Sequence, residues 1–249
     1  MNSSPKIDRF TFYAETFLVD GTGRVRLSTL CNQMLTSGGR HGEARGFGAT
    51  TRLGWVLARM AVKVERVPLW RERYYIETWV RNLYHGFTDR CFRVIDEDGN
   101  ILASSIATFA LMDLKSRTAV DLNKEIGQRL LECILPDEPL PLHRIPTIPR
   151  TPVEEVTFRR HPQYSDVDIN GHMNSIRTLE HILDSFPLSY MRTHAPTGFV
   201  ISYMQEGEAT EELSYGIKQI EENRYIAQVT KENGATASRC ELTFTPIAD

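Results

Sequence analysis

The chain has 249 residues, 41% hydrophobic and 24% charged, close to the globular average. Collagenous, disordered and disulfide-scaffold classes are excluded, and no stretch approaches the roughly 18 unbroken apolar residues of a membrane span. The net charge of −3 argues against nucleic acid as a main partner, but it averages two unlike halves. Residues 1–124 hold 18 Lys and Arg against 13 Asp and Glu, net +5, and residues 125–249 hold 11 against 19, net −8. An acidic partner would dock on the first half. The opening residues, MNSSPKIDRF, show neither an apolar secretory core nor transit-peptide character, which predicts a cytoplasmic protein. Cys31, Cys91, Cys133 and Cys240 have no C-x-x-C or metal-like spacing, so they are expected to be reduced and buried, with no metal or cofactor.

Taken in chain order, residues 10–19 read as an extended stretch that turns through Asp20-Gly-Thr-Gly into a helix from Leu27 to about Ala44. A strand follows at Trp55-Val-Leu-Ala-Arg-Met-Ala-Val, then a hairpin on the Asp98-Gly99-Asn100 turn and a short helix over 124–133. Residues 136–152 hold six of the twelve prolines. Proline lacks a backbone donor and fixes φ, so this stretch predicts an extended linker. The same order of signals then returns. Residues 156–164 are extended, Asp166-Val-Asp-Ile-Asn-Gly turns the chain, and a helix is expected over 173–185, with Leu179, Ile182 and Leu183 at helical spacing and Pro187 at its stop. A strand starts near Phe199, and Glu232-Asn233-Gly234 marks a second hairpin. The expected organisation is an α+β tandem duplication: a first unit over 1–135, the linker over 136–152, and a second unit over 153–249. Each unit is a helix whose apolar stripe packs on an antiparallel meander. Neither a dinucleotide-binding glycine motif nor a P-loop is present in the sequence.

The second turn carries the chemistry. Asp166, Asp168, Asn170, His172 and Asn174 occupy alternate positions, which in an extended conformation would share one face. Asp168 or Asn170 also suits an N-cap, and a single histidine is more often a satisfied turn residue than a catalyst. The first unit's matching turn, Asp20-Gly-Thr-Gly-Arg-Val, already supplies turn and cap without imidazole or amide, so the second copy carries something more. Glu206 follows the same logic. Aligning Trp55 with Phe199 sets Met60 against Met204 and Val62 against Glu206. An unpaired carboxylate in a buried strand costs several kcal/mol, so Glu206 is expected to face a polar site, its pKa raised by burial toward that of a general base. An exposed strand end is the alternative, since Glu208, Glu211 and Glu212 follow.

The D-x-D-x-N-x-H-x-N run, Tyr203-x-x-Glu206, the Trp55 strand, Pro68-Leu-Trp70 and Glu77-Thr-Trp79-Val80 together resemble the acyl-acyl-carrier-protein thioesterases, double hot-dog proteins that hydrolyse the thioester between a fatty acyl chain and its carrier. The resemblance runs from about residue 10 to 244. It implies functional roles for Asp168, Asn170, His172 and Glu206, and acyl carrier protein and a fatty acyl chain as partners. Glu206 and His172 would activate water, Asn170 and backbone N–H groups at the start of the second helix would stabilise the oxyanion, and Asp168 would orient the His172 ring. Plant relatives commonly have cysteine after that glutamate, whereas this chain has Gly207, so no covalent cysteine step is expected. An apolar tunnel would draw on Trp55, Leu57, Met60, Trp79, Phe92 and Phe109, and the acidic carrier on Lys63, Arg66, Arg71, Arg73 and Arg81. A second copy of the chain is a further candidate partner, as a homodimer. The competing readings are a hot-dog acyl-CoA thioesterase, a hot-dog dehydratase and a non-catalytic acyl-binding regulator.

Overall fold

A computed structural model describes residues 6–84, 86–169 and 171–247. The chain divides into two compact units, Met1–Ile145 and Pro146–Asp249. The first runs β1 (Asp8–Tyr13), a 3-10 turn (Thr16–Leu18), α1 (Leu27–Ala44), β2 (Leu53–Val64), β3 (Arg73–Tyr84), β4 (Phe87–Ile95), β5 (Ile101–Asp113), the short β6 (Thr118–Ala119), α2 (Leu122–Glu125) and α3 (Gly127–Glu132). Its antiparallel sheet has the order β1-β3-β4-β5-β2, with β6 on β5. Helix α1 buries Leu27, Leu30, Cys31, Met34, Ser37, Gly38 and His41, one stripe at helical spacing. Gly38 permits the close approach, since a Cβ there would lie 2.8 Å from Arg90 Cδ and 3.3 Å from the Phe92 ring.

The second unit runs β7 (Phe158–Arg160), a 3-10 turn (Tyr164–Asp166), α4 (Ser175–Asp184), α5 (Leu188–Thr193), β8 (His194–Tyr203), β9 (Leu213–Glu221), β10 (Arg224–Thr230) and β11 (Thr236–Pro246). Its order, β7-β9-β10-β11-β8, is the same path as in the first unit. The chain is therefore two α+β units of one plan in tandem, as the repeat predicted, and each has the helix-on-meander form that the resemblance implied. Both hairpin turns form where expected, with the strand-closing bonds Asp96 N–H to Asn100 O and Lys231 N–H to Ala235 O. Gly99 and Gly234 sit at φ +86° and +82°, which is why each turn needs glycine. All four cysteines are buried free thiols.

Several local expectations shift. The helix expected over 124–133 is two short helices broken at Ile126, and the second long helix starts at Ser175 instead of 173. The proline stretch is not a free linker. Leu140 packs with Trp79, Cys91 and Ile106, and Arg93 and Arg81 donate to the Pro139 and His143 carbonyls, which fastens residues 136–145 to the first unit. Beyond Ile145, Arg239 donates to the carbonyls of Pro149 and Thr151 and Lys218 to that of Pro152, all within the second unit. The unit boundary thus falls inside the expected linker. Of the residues assigned to an acyl tunnel, Leu57, Met60, Trp79 and Phe92 are buried, and Trp55 packs edge-on against Phe109 while its indole N–H donates to the Phe47 carbonyl.

Candidate active site

The turn entering α4 is a closed loop, not an extended strand with one polar face. Val167 and Met173 bridge its base, Asp168 N–H donates to His172 O at 2.8 Å, and Gly171 N–H donates to Asp168 O at 3.0 Å with Gly171 at φ +80°. The five alternating residues accordingly part ways. Asp166 turns inward and is 2% exposed. Asn174 caps α4, its side-chain oxygen accepting the N–H groups of Ile176 and Arg177. Asp168 Oδ1 accepts the His172 backbone N–H at 3.2 Å, a contact that fixes the loop. Asn170 lies outside the described residues.

The structure brings His172 and Glu206 together, with Nε2 and Oε2 3.9 Å apart and the side chains 22% and 38% exposed. The Nδ1 atom of His172 is buried with no protein hydrogen bond among the described residues. Glu206 lies three residues beyond the end of β8, on a half-buried segment instead of the buried strand expected. That segment is pinned on both sides: Met173 N–H donates to Gly207 O at 3.0 Å, and Lys231 Nζ donates to Glu206 O at 2.8 Å while pairing with Glu211 at 3.0 Å. Gly207 is cramped, since a Cβ there would meet Leu213 at 3.2 Å and Met173 at 3.4 Å. The backbone N–H groups of Gly171, His172, Met173, Asn174, Ile176 and Arg177 all have partners within the loop, the first turn of α4 and the Gly207 segment.

The first unit repeats this backbone bond for bond. Val19 bridges Val25, Asp20 N–H donates to Arg24 O, Gly23 N–H donates to Asp20 O with Gly23 at φ +79°, and Asp20 Oδ1 accepts Arg24 N–H at 3.2 Å. Asp168 therefore matches Asp20, and His172 matches Arg24. Val25 N–H donates to Pro68 O as Met173 N–H does to Gly207 O, and Arg24 bridges Leu69 as His172 bridges Glu208. Glu206 is thus the counterpart of Val67, not of Val62.

Beneath the loop lies a network that sequence reading missed. His181 Nε2 is 3.1 Å from Asp166 Oδ1, and His181 Nδ1 is 2.9 Å from the Tyr215 hydroxyl. All three residues are at most 3% exposed. Burial lowers the His181 pKa against the raising effect of Asp166, and burial raises that of Tyr215. A polar residue on the apolar stripe of α4 was the available signal. Lys231, just after β10, gave none.

With this geometry in hand, comparison with known proteins identifies the family. The acyl-ACP thioesterase N-terminal domain model matches residues 9–130, and the acyl-ACP thioesterase C-terminal domain model matches residues 151–246. The chain belongs to the acyl-ACP thioesterase family. A crystal structure of an acyl-ACP thioesterase from Bacteroides thetaiotaomicron is 34% identical, with a TM-score of 0.87 over 98% of this chain and all of that one. The 12:0-ACP thioesterase from Umbellularia californica shares the fold, with a TM-score of 0.88 over 99% of this chain and all of that one at 20% identity. Among plant relatives, the chloroplastic palmitoyl-acyl carrier protein thioesterase of Gossypium hirsutum is 27% identical over 68% of this chain and 43% of its own length. The chloroplastic oleoyl-acyl carrier protein thioesterase of Coriandrum sativum is 23% identical over 86% of this chain and 63% of its own length. The match thus spans about half the length of these plant relatives. Among the described residues, no helix is long and apolar enough to cross a membrane.

Proposed function

We propose that the chain hydrolyses fatty acyl thioesters of an acyl carrier protein, releasing the free fatty acid and the carrier thiol. The observation that carries this reading is the His172–Glu206 pair, 3.9 Å apart, on a loop whose duplicate has Arg24 and Val67 in the same places. Membership of the acyl-ACP thioesterase family supplies the substrate class. A water oxygen about 2.8 Å from both Nε2 and Oε2 would be held at roughly 90° between them. The pair takes a proton from this water as its oxygen attacks the thioester carbonyl. The tetrahedral intermediate then collapses, the C–S bond breaks, and the departing thiolate receives that proton. Asn170 is assigned to polarising the carbonyl or the water, and Asp168 to holding the loop through the His172 amide. Gly207, with no thiol and little room for one, supports attack by water over a covalent cysteine route.

The proposal extends to a cytoplasmic enzyme, able to pair as a homodimer, whose net-positive first half receives the acidic carrier. The deciding assay follows release of free thiol from one acyl group presented on acyl carrier protein and on CoA. The carrier thioester is expected to be the better substrate, and His172→Ala and Glu206→Ala should each lower turnover about 100-fold or more. Turnover equal to the parent in both variants would overturn the reading. Preference for CoA would reassign the carrier, and an enoyl product in place of thiol would reassign the chemistry.

A further inference from the structure

The buried network under the site loop differs between the units in a way that the fold alone does not require. Both units tie their long helix to the facing strand with a tyrosine hydroxyl. Tyr74 on β3 donates to Gln33 on α1 at 2.6 Å, and Tyr215 on β9 meets His181 on α4 at 2.9 Å. Both tyrosines carry a stacked phenylalanine from the first strand of their unit, Phe12 at 5.9 Å and Phe158 at 4.5 Å. The loop equivalence aligns Leu18 with Asp166, because Leu18 O accepts Arg26 N–H as Asp166 O accepts Asn174 N–H. Continuing that register along the helices aligns Gln33 with His181. In the first unit the position matching the carboxylate is therefore a leucine. In the second the helix-to-strand bond runs on into the loop, through an imidazole and a carboxylate.

Every polar atom of this extension is used. For a neutral imidazole the Tyr215 O–H donates to Nδ1 and the Nε2–H donates to Asp166 Oδ1. Asp166 Oδ2 accepts the Gln163 N–H at 2.8 Å, and Arg160 stands 3.8 Å from the same oxygen. Asp184, at the far end of α4, is the remaining charge acting on His181. The backbone carbonyl of Asp166 takes the N–H of Asn174, the residue that caps α4 two positions after His172. Asp166 thus grips both margins of the loop, at Gln163 and Asn174, while His181 anchors it to the helix interior.

We propose that Asp166, His181 and Tyr215 form a positioning network that sets the placement of the His172 loop and so governs turnover without touching substrate. This rests on the reading of His172 and Glu206 as the reacting pair. A purely structural role would already be met by the first unit's leucine, glutamine and tyrosine. The residues that convert that plain tie into a buried acid–imidazole chain occur in the copy that carries the site.

The test rebuilds the first unit's solution in the second. Asp166→Leu alone leaves a buried imidazole N–H unpaired and should lower Tm. The double variant Asp166→Leu/His181→Gln should recover most of that loss, because it copies Leu18, Gln33 and Tyr74. Its kcat should nevertheless fall about tenfold or more with KM within about twofold, as displacement of a reacting group by an ångström predicts. Amide exchange at His172 and Asn174 should quicken in parallel. A double variant with parent kcat and parent exchange would overturn the proposal. If the double variant does not fold, Tyr215→Phe, which removes one hydroxyl from a retained ring, decides instead: lower kcat at unchanged KM supports positioning, and parent kcat refutes it. His172→Ala is measured alongside. Parent turnover in that variant would sink the assignment of the reacting pair, while amide exchange in the network variants would still report whether the loop depends on Asp166 and His181.

Discussion

Two loops of this protein share one backbone and differ in chemistry. In the first unit Asp20, Gly23 and Arg24 close the loop before α1, and in the second Asp168, Gly171 and His172 close the loop before α4 with the same hydrogen bonds. The comparison separates what the fold requires from what function adds. The carboxylate that accepts the amide four residues on, and the glycine at positive φ, occur in both copies and belong to the turn. The imidazole and the facing Glu206 occur in the second copy, where the first has Arg24 and Val67. A duplicated chain thus contains its own control, with shared features assigned to folding and unshared ones to chemistry.

The largest effect expected from this contrast is on turnover. His172→Ala should cut kcat by about 100-fold or more, whereas Arg24→Ala at the matching position should leave it within about twofold; equal losses in the two variants would dissolve the distinction. The next contrast is in pH dependence and concerns the buried imidazoles, His41 on α1 and His181 on α4. Burial, helped by the Arg90 charge, lowers the His41 pKa from 6.5 to about 4, and burial lowers that of His181. The folded state keeps both rings neutral while the unfolded chain takes up protons near pH 6.5. Stability is therefore full above about pH 6.5 and falls as pH drops toward 4, with His41 contributing on the order of 3 kcal/mol. Denaturant titrations at pH 7.5, 5.5 and 4.5 should show this loss, and His41→Gln should flatten it; a flat profile in the parent would contradict the assignment.

Smaller effects test Asp168 against Asp20. Losing the loop-closing carboxylate bond in Asp168→Ala or Asp20→Ala should cost each protein about 1–2 kcal/mol by chemical denaturation. Only the former should also lower kcat, through the His172 loop. An Asp168→Ala protein with parent kcat would confine that carboxylate to folding. The smallest expected effect is a severalfold fall in kcat/KM for the carrier substrate when salt is raised from 50 to 300 mM, since exposed charges steer association over only a Debye length. A kcat/KM indifferent to salt would remove the docking assignment on the net-positive half.

Much of the architecture was legible because it is written twice. The helix over Leu27–Ala44, the D-G-N and E-N-G hairpins and the repeat each rest on local signals: apolar spacing, glycine at positive φ and turn chemistry. The candidate pair was legible for the same reason, since the absence of imidazole in Asp20-Gly-Thr-Gly-Arg-Val singled out His172. The missed features depend on long-range contact. Asp166 read as one more polar residue on an extended face, and its inward turn follows from the loop closing between Val167 and Met173. His181 is a histidine among apolar residues on a helix, and only Asp166 and Tyr215, 15 and 34 residues away, show that it is satisfied. Glu206 was matched to Val62 by an alignment of the two strands that is five residues out of register: Glu65 and Arg66 N–H both donate to Leu102 O as Met204 and Gln205 N–H both donate to Ala237 O, which makes Val67 its counterpart.

The proline stretch has a consequence for how such a chain can be taken apart. Its first half is tied down by Arg81, Arg93 and Leu140, and its second by Arg239 and Lys218, with Ile145 and Pro146 at the change of allegiance. A gene cut between those two codons would hand each polypeptide the strap that its own side chains already hold. That seam is the natural place to express the halves as separate chains, label one of them, or exchange one for a relative's.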